Sequence, residues 1–198
     1  MALLWVIVTI IVASANGMDN TKLWKIPPPR VLWHQNPGLW YVQFQSVACS
    51  WSGGRELTDM EVFVRPETKT NLLFSFESRN GLCNKINFMV YLTSQIGLYK
   101  IKDPVGSGFT GVYVLPAGDN KSFLISYGCT KMSVFGDKCD DGSIYVMTRM
   151  RYPDKKVITK INKALVQLWG ITVKELQRVM HKNYEYYYKN CYFPNIQT

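Results

Sequence analysis

The chain has 198 residues, of which 47% are hydrophobic, and it carries a formal net charge of +9. This length suits one substantial domain, and the apolar content supports a buried core, which excludes a disordered chain. Lysine and arginine are scattered along the sequence rather than concentrated beside aromatic residues, which argues against a nucleic-acid ligand. The charge indicates either a solvated surface or an attraction to anionic ligands, such as a cell-surface receptor or polyanion.

The first 17 residues have the pattern of a secretory signal peptide. Met1–Val12 is an apolar run, and the small residues Ala13–Gly17 follow it. We expect cleavage after Ala15 or Gly17, which leaves a mature domain over residues 18–198 that is secreted and extracellular. The alternative is a membrane anchor, but the apolar run is too short to span a bilayer.

Eight segments between about residues 39 and 151 alternate apolar and polar residues, as half-buried strands do. They are residues 39–45, 60–64, 72–77, 86–93, 98–102, 109–115, 121–130 and 143–151. Turn-forming residues separate them, for example Arg79-Asn80-Gly81 and Asp140-Asp141-Gly142. Short antiparallel strands with hairpin connections indicate a sandwich or an up-and-down barrel.

After Pro153 the spacing of the apolar residues changes from that of a strand to that of a helix. Residues 154–169 place an apolar stripe that includes Ile161, Leu165 and Trp169 at helical spacing, and Gly170 follows at a position typical of a helix end. Residues 172–175 form a capping-box sequence, which predicts a second, shorter helix in the tail over 170–198. A single amphipathic helix after eight strands has to bury its stripe against the outside of the sheet.

Five cysteines occur in the chain, and export makes them candidates for disulfides rather than for metal ligands. No two of them form a C-x-x-C pair, and the sequence has two histidines, so the pattern argues against a zinc site. We therefore expect no metal and no cofactor. Because five is an odd number, one thiol is left over.

Three short motifs occur in an order and spacing that resemble the lipocalin family. The first is Gly38-Leu39-Trp40, the second is the turn at Asp119, which leads into a strand ending at Cys129, and the third is Arg151 before the helix, with Arg149 as the alternative. The helix and the following segment are similar to those of apolipoprotein D and the bilin-binding lipocalins. The resemblance implies an all-β fold: an eight-stranded antiparallel up-and-down barrel with one C-terminal α-helix packed on its outside.

The same resemblance implies structural roles. Trp40 would plug one end of the barrel beneath the guanidinium of Arg151, and Asp119 would tighten the adjacent turn. A disulfide between Cys83 and Cys191 matches the family pattern. Cys129 lacks its usual partner, and Cys139 is the nearest substitute, although a bond from Cys49 to either of these two remains an alternative.

The alternation expected of the family also assigns side chains to the barrel interior, where a ligand would bind. The assigned residues are Phe44, Val62, Phe74, Phe76, Phe88, Tyr113, Leu115, Leu124, Ser126, Tyr145, Met147 and Arg149. Phe123, Ile125 and Tyr127 would lie outside, under the helix. A slip of one residue would exchange the two sets, and the alternative role for Arg149 is an ordinary surface or closed-end arginine. Asn120-Lys121-Ser122 is a possible glycosylation site.

The function that follows is a secreted lipocalin that binds and carries or sequesters a small hydrophobic ligand, with or without an acidic group. Fatty acids, retinoids, sterols and bilins are the candidate classes. The alternative is a protein-binding lipocalin, an inhibitor or a receptor ligand, that acts through the loops at its open end. Catalysis is not expected, because no paired carboxylates and no Cys–His pair can be assigned to the cavity.

Overall fold

The computed structural model describes residues 25–46, 58–79, 83–102, 109–129, 138–139 and 142–182. All structural facts given for the protein refer to these residues. The predicted signal peptide, Cys49 and Cys191 lie outside them.

Nine strands form one antiparallel sheet that closes on itself. They are β1 (Gly38–Gln45), β2 (Thr58–Pro66), β3 (Asn71–Arg79), β4 (Cys83–Leu92), β5 (Tyr99–Lys102), β6 (Phe109–Gly118), β7 (Phe123–Cys129), β8 (Ser143–Thr148) and β9 (Gln177–Arg178). Each strand from β2 to β7 pairs with the next one in the chain, and β1 pairs with both β8 and β2. These pairings close an eight-stranded up-and-down barrel, so the predicted architecture is confirmed.

Alternation decides which side chains face the interior and which face outward. Every residue of β7 is buried, because one face of this strand lines the interior and the other is covered from outside. Leu124 packs in the inner cluster, whereas Phe123, Ile125 and Tyr127 pack with the helix. The predicted parity of this strand is therefore confirmed.

The single α-helix, α1 (Lys155–Trp169), lies on the outer wall. The carboxylate of Asp154 accepts a hydrogen bond of 2.8 Å from the backbone N–H of Val157, and Gly170 ends the helix in the left-handed conformation, with φ of 67°. Its buried residues, Ile161, Leu165 and Trp169, pack in the outer cluster. The predicted second helix is a single 3-10 turn, Val173–Glu175, with the predicted capping box.

The ninth strand was not predicted. The segment that contains β9 pairs with β1, and the N–H of Val179 donates to the carbonyl of Gln43 at 2.8 Å. On its other side the carbonyl of Met180 accepts the N–H of Asp59 at 2.9 Å. Val179 packs with the inner cluster, so this C-terminal segment forms part of the barrel wall between β1 and the start of β2.

A disulfide joins Cys129, at the end of β7, to Cys139, with their Cα atoms 5.8 Å apart. The predicted pairing is confirmed, and it excludes a bond from Cys49 to either cysteine. The Cys83–Cys191 bond stays a prediction, because Cys191 and the side chain of Cys83 lie outside the described residues.

Candidate functional site

The interior of the barrel is the candidate site, and most of the side chains predicted to line it do so. Val62, Phe74, Leu115, Leu124, Tyr145 and Met147 are buried in one cluster, and Phe88 and Tyr113 pack against it while remaining partly exposed. Ser126 lies opposite Tyr145 in the β7–β8 ladder and is 2% exposed. We call this set the inner wall. The side chain of Phe76 lies outside the described residues.

Further inner-wall residues were missed by the sequence analysis. They are Val31, Trp33, Met60, Val64, Leu72, Val90, Tyr99 and Val179. Met60, Val64, Leu72 and Val90 follow the same alternation as their predicted neighbours, so the pattern itself would have found them. Trp33 precedes the first strand and Val179 follows the helix, where strand alternation gives no signal.

Phe44 is a correction, because it lies on the outer side. Val42 pairs with Met147, but Phe44 pairs with the next residue, Val146, so Gln43 is the extra residue of a β-bulge. A bulge reverses the alternation beyond it. Phe44 consequently packs against the outer cluster beside the helix, and the prediction that it lines the cavity is wrong.

Arg149 and Trp40 close one end of the barrel. The guanidinium carbon lies 3.7 Å from the centre of the buried Trp40 ring, and the two terminal nitrogens donate to the carbonyls of Leu39 (2.9 Å) and Pro37 (2.7 Å). Gly38 has φ of +94°, and a Cβ there would lie 3.1 Å from Arg149. Glycine therefore lets the guanidinium approach. Burial lowers the pKa of Arg149. Its role is structural, and the prediction that it lines the cavity is wrong.

The prediction that Arg151 stacks on Trp40 is also wrong. Strand β8 ends at Thr148 and the chain bends after it, so alternation no longer sets the direction of Arg151. Its guanidinium pairs with Glu61 at 2.9 Å and lies 5.2 Å from the centre of the Tyr41 ring, on the outer wall. Arg149, the alternative in the sequence analysis, occupies the closed end instead.

The turn between β6 and β7 is organised by Asp119. One carboxylate oxygen accepts the backbone N–H groups of Lys121, Ser122 and Phe123, and the other accepts the hydroxyl of Ser122 and the ammonium of Lys160. Burial opposes the negative charge, but the hydrogen bonds outweigh it and hold the pKa of Asp119 well below its ordinary value. This is the tightened turn that the motif predicts.

Asn120 follows in the same turn and connects it to the closed end. Asn120 is exposed and has a φ of 60°. Its side-chain oxygen accepts a hydrogen bond of 3.2 Å from the side-chain amide of Asn36. Asn36 also donates to the carbonyl of Leu32. Glycosylation at Asn120 stays a prediction.

A second polar group of residues holds the C-terminal segment on the outer wall. His181 donates through Nε2 to the carbonyl of Val42 at 2.8 Å, and its ring lies edge-on to Tyr41. The carboxylate of Asp59, which is 1% exposed, accepts the N–H of Lys182 at 2.8 Å. Burial lowers the pKa of His181, against a smaller opposing effect of the bond to Val42. The folded protein therefore favours the neutral ring.

Because the pKa of His181 is lowered in the folded protein, we expect the protein to lose stability on acidification. Below the ordinary histidine pKa of 6.5, the unfolded chain takes up a proton on His181, whereas the folded protein resists this protonation. The free energy of unfolding therefore decreases as the pH is lowered, until the pH drops below the lower pKa that His181 has in the folded protein. Each unit of difference contributes at most about 1.4 kcal/mol. Urea denaturation from about pH 7.5 to about pH 5.5 should show this slope, and His181→Gln should reduce it.

His34, the other histidine of the chain, needs its own control, because burial lowers its pKa too. His34→Gln separates the two contributions. An unchanged slope in His181→Gln would contradict the prediction.

Among the described residues, no group of three or more His, Cys, Asp or Glu side chains is placed to hold a metal ion. Within the same residues, no helix has the length and apolarity needed to cross a membrane.

Comparison with known proteins rests on structure. No protein-family model and no curated protein sequence matches the chain. The allergen Per a 4 from cockroaches is similar with a TM-score of 0.62 and 10% identity, over 81% of this chain and 96% of that one. The siderocalin Ex-FABP gives a TM-score of 0.56 and 14% identity over 75% and 95% of the two chains. Lobster apocrustacyanin A1 is similar with a TM-score of 0.57 and 13% identity, over 81% of this chain and 93% of that one. At these identities the likeness shows the fold alone, and the protein has the lipocalin fold.

Proposed function

We propose that the protein is a secreted carrier or scavenger that holds one small hydrophobic molecule inside the barrel. The observation that carries the proposal is an apolar and aromatic inner wall above an end closed by Trp40 and Arg149. An eight-stranded barrel is wide enough to hold one small ligand, and closing one end makes the other the entrance.

The composition of the inner wall suits such a ligand. Phe74 and Phe88 stack with ring centres 5.5 Å apart, and Met60 and Met147 supply flexible side chains that adapt to irregular shapes. Phe88 keeps part of its surface accessible. An apolar wall with few polar groups is typical of small-molecule sites.

Secretion and binding without catalysis complete the proposal. The Cys129–Cys139 disulfide suits an oxidising compartment and agrees with the predicted signal peptide. The sequence predicts no paired carboxylates and no Cys–His pair in the cavity, which favours binding over catalysis. The siderocalin Ex-FABP is described as functioning through dual ligand specificities, which supports ligand binding here by analogy. The alternative of protein binding concerns the open-end loops, most of whose residues lie outside the described part of the chain.

Native mass spectrometry of protein purified from its own source tests the proposal. We expect a small molecule at one per chain, recovered in an organic extract as a fatty acid, retinoid, sterol, bilin or related lipid. A protein that is reproducibly empty, and that binds none of these molecules when they are added, would contradict the proposal.

Ser126→Phe should block binding by filling the interior opposite Tyr145. If the barrel holds a ligand-sized space, the ring fits, stability changes by less than about 1 kcal/mol, and affinity for the neutral dye Nile red falls at least about tenfold. Dye titration and urea denaturation measure the two effects.

Thr159→Phe is the matched control, because Thr159 is exposed on α1 and receives the same ring outside the barrel. It should leave dye affinity unchanged. A loss of about 1–3 kcal/mol in Ser126→Phe would indicate an interior that is already filled, which contradicts the carrier.

A further inference from the structure

Trp33 places an indole inside the barrel near its closed end. It begins the 3-10 turn Trp33–Gln35, just before β1, and it is 1% exposed. Its ring lies edge-on to Phe74, with ring centres 4.8 Å apart, and it belongs to the inner-wall cluster. A ligand that reaches the closed end of the barrel therefore meets this indole.

The turn that carries Trp33 is held in place by its own contacts. The N–H of Asn36 donates to the carbonyl of Trp33 at 2.9 Å. The ring of Tyr99, which is fully buried, stacks on that of His34, and the Tyr99 hydroxyl lies 3.2 Å from Nδ1 of His34. The indole is consequently positioned before any ligand arrives, which lowers the entropic cost of binding.

The indole nitrogen of Trp33 has no hydrogen-bond partner among the described residues, although it is buried. The contrast is Trp40, whose indole nitrogen donates to the carbonyl of Asn36 at 3.0 Å. An unpaired buried donor is unfavourable, and native proteins satisfy nearly all such groups. Because Trp33 packs among the inner-wall residues, a ligand held in the barrel is a partner that would satisfy this donor.

We propose that the indole N–H of Trp33 donates to an uncharged carbonyl oxygen at the buried end of the ligand. This inference rests on the proposed function. The ligand would enter with its carbonyl first, and its hydrocarbon part would lie along Phe74 and the rest of the inner wall. A carbonyl is favoured over a carboxylate, because one neutral donor does not compensate the desolvation of a buried negative charge.

The test uses three probes of equal chain length: a long-chain methyl ketone, the corresponding alkane and the corresponding fatty acid. Trp33→Phe removes the N–H and keeps an aromatic ring. We expect this change to weaken binding of the ketone about five- to tenfold more than binding of the alkane, as loss of one hydrogen bond does. The alkane is the control for lost packing, and wild-type protein should bind the ketone more tightly than the fatty acid.

The indole signals of Trp33 and Trp40 provide a second measurement in the wild-type protein. In a ¹H–¹⁵N spectrum the indole signal of Trp33 should shift downfield and exchange more slowly with water when the ketone binds, but not with the alkane. The Trp40 signal is the internal control, because its donor is already paired. Triple-resonance assignment provides this readout even if Trp33→Phe does not fold.

The outcomes separate this inference from the proposed function. If the ketone binds but the Trp33 signal does not move, or if Trp33→Phe weakens the ketone and the alkane equally, the inference is wrong and the carrier stands. If the fatty acid binds more tightly than the ketone, the preference for an uncharged group is wrong. If none of the three probes binds, the result counts against both.

Discussion

Replacing Arg149 by methionine should lower the free energy of unfolding by about 3 kcal/mol. The change removes the contact with the Trp40 ring, which is worth about 2 kcal/mol when it is shielded from water. It also removes two charge-assisted hydrogen bonds to the carbonyls of Leu39 and Pro37. The bond to Pro37 is exposed, so in the variant water hydrogen-bonds to the Pro37 carbonyl and offsets part of the lost stability. Urea denaturation followed by circular dichroism measures the change.

Two further variants make this result specific. Arg149→Lys should recover less than half of the loss, because an ammonium group lacks the planar fork that makes both bonds while it stacks on the indole. Arg65→Met removes an arginine whose side chain is 58% exposed and pairs with Glu67, so it should cost less than about 1 kcal/mol. If Arg149→Met is no more destabilising than Arg65→Met, the closed end does not depend on this arginine.

Replacing Arg151 by methionine should also be costly, by about 3 kcal/mol, but for a different reason. The side chain of Glu61 is 8% exposed and pairs with Arg151 at 2.9 Å, so the change leaves a buried carboxylate without its guanidinium. Burial lowers the pKa of Arg151, but Glu61, Tyr41 and Asp59 together outweigh this effect and raise that pKa. The pair also joins the segment before α1 to β2.

A double-mutant cycle separates the pair from packing. Glu61→Gln combined with Arg151→Met should be more stable than Arg151→Met alone, because the double variant no longer buries a carboxylate that has lost its guanidinium. Urea denaturation of the four proteins gives the interaction energy. Additive effects of the two substitutions would show that Glu61 and Arg151 do not act as a pair.

The features that the sequence predicted are those governed by local rules. The alternation in β7 correctly placed Leu124 inside and Ile125 outside, because a strand without a bulge keeps its period. Gly170 correctly marked the end of the helix, where a left-handed residue closes the last turn. The Cys129–Cys139 bond joins cysteines ten positions apart. None of these features depends on distant parts of the chain.

The features that the sequence did not predict depend on tertiary contacts. The run from Trp40 to Gln45 alternates without interruption, and nothing in it marks Gln43 as the residue that bulges against β8. Arg149 and Arg151 are two residues apart, and only the bend after Thr148 separates their positions. Trp33 packs inside the barrel although it belongs to the 3-10 turn before β1, and the alternation of strand residues does not predict that position.

The position of the segment around β9 has a consequence for biosynthesis. His181 binds the carbonyl of Val42, a residue 139 positions earlier, and Val179 pairs with Gln43. While the chain is being translated, the second half of β1 therefore cannot pair with β9 until residues near 180 have left the ribosome. Such distant pairings make folding slow, and an unpaired strand edge invites association with other chains. A nascent chain that has not yet exposed residues 177–180 thus leaves this edge of β1 open to association with other chains.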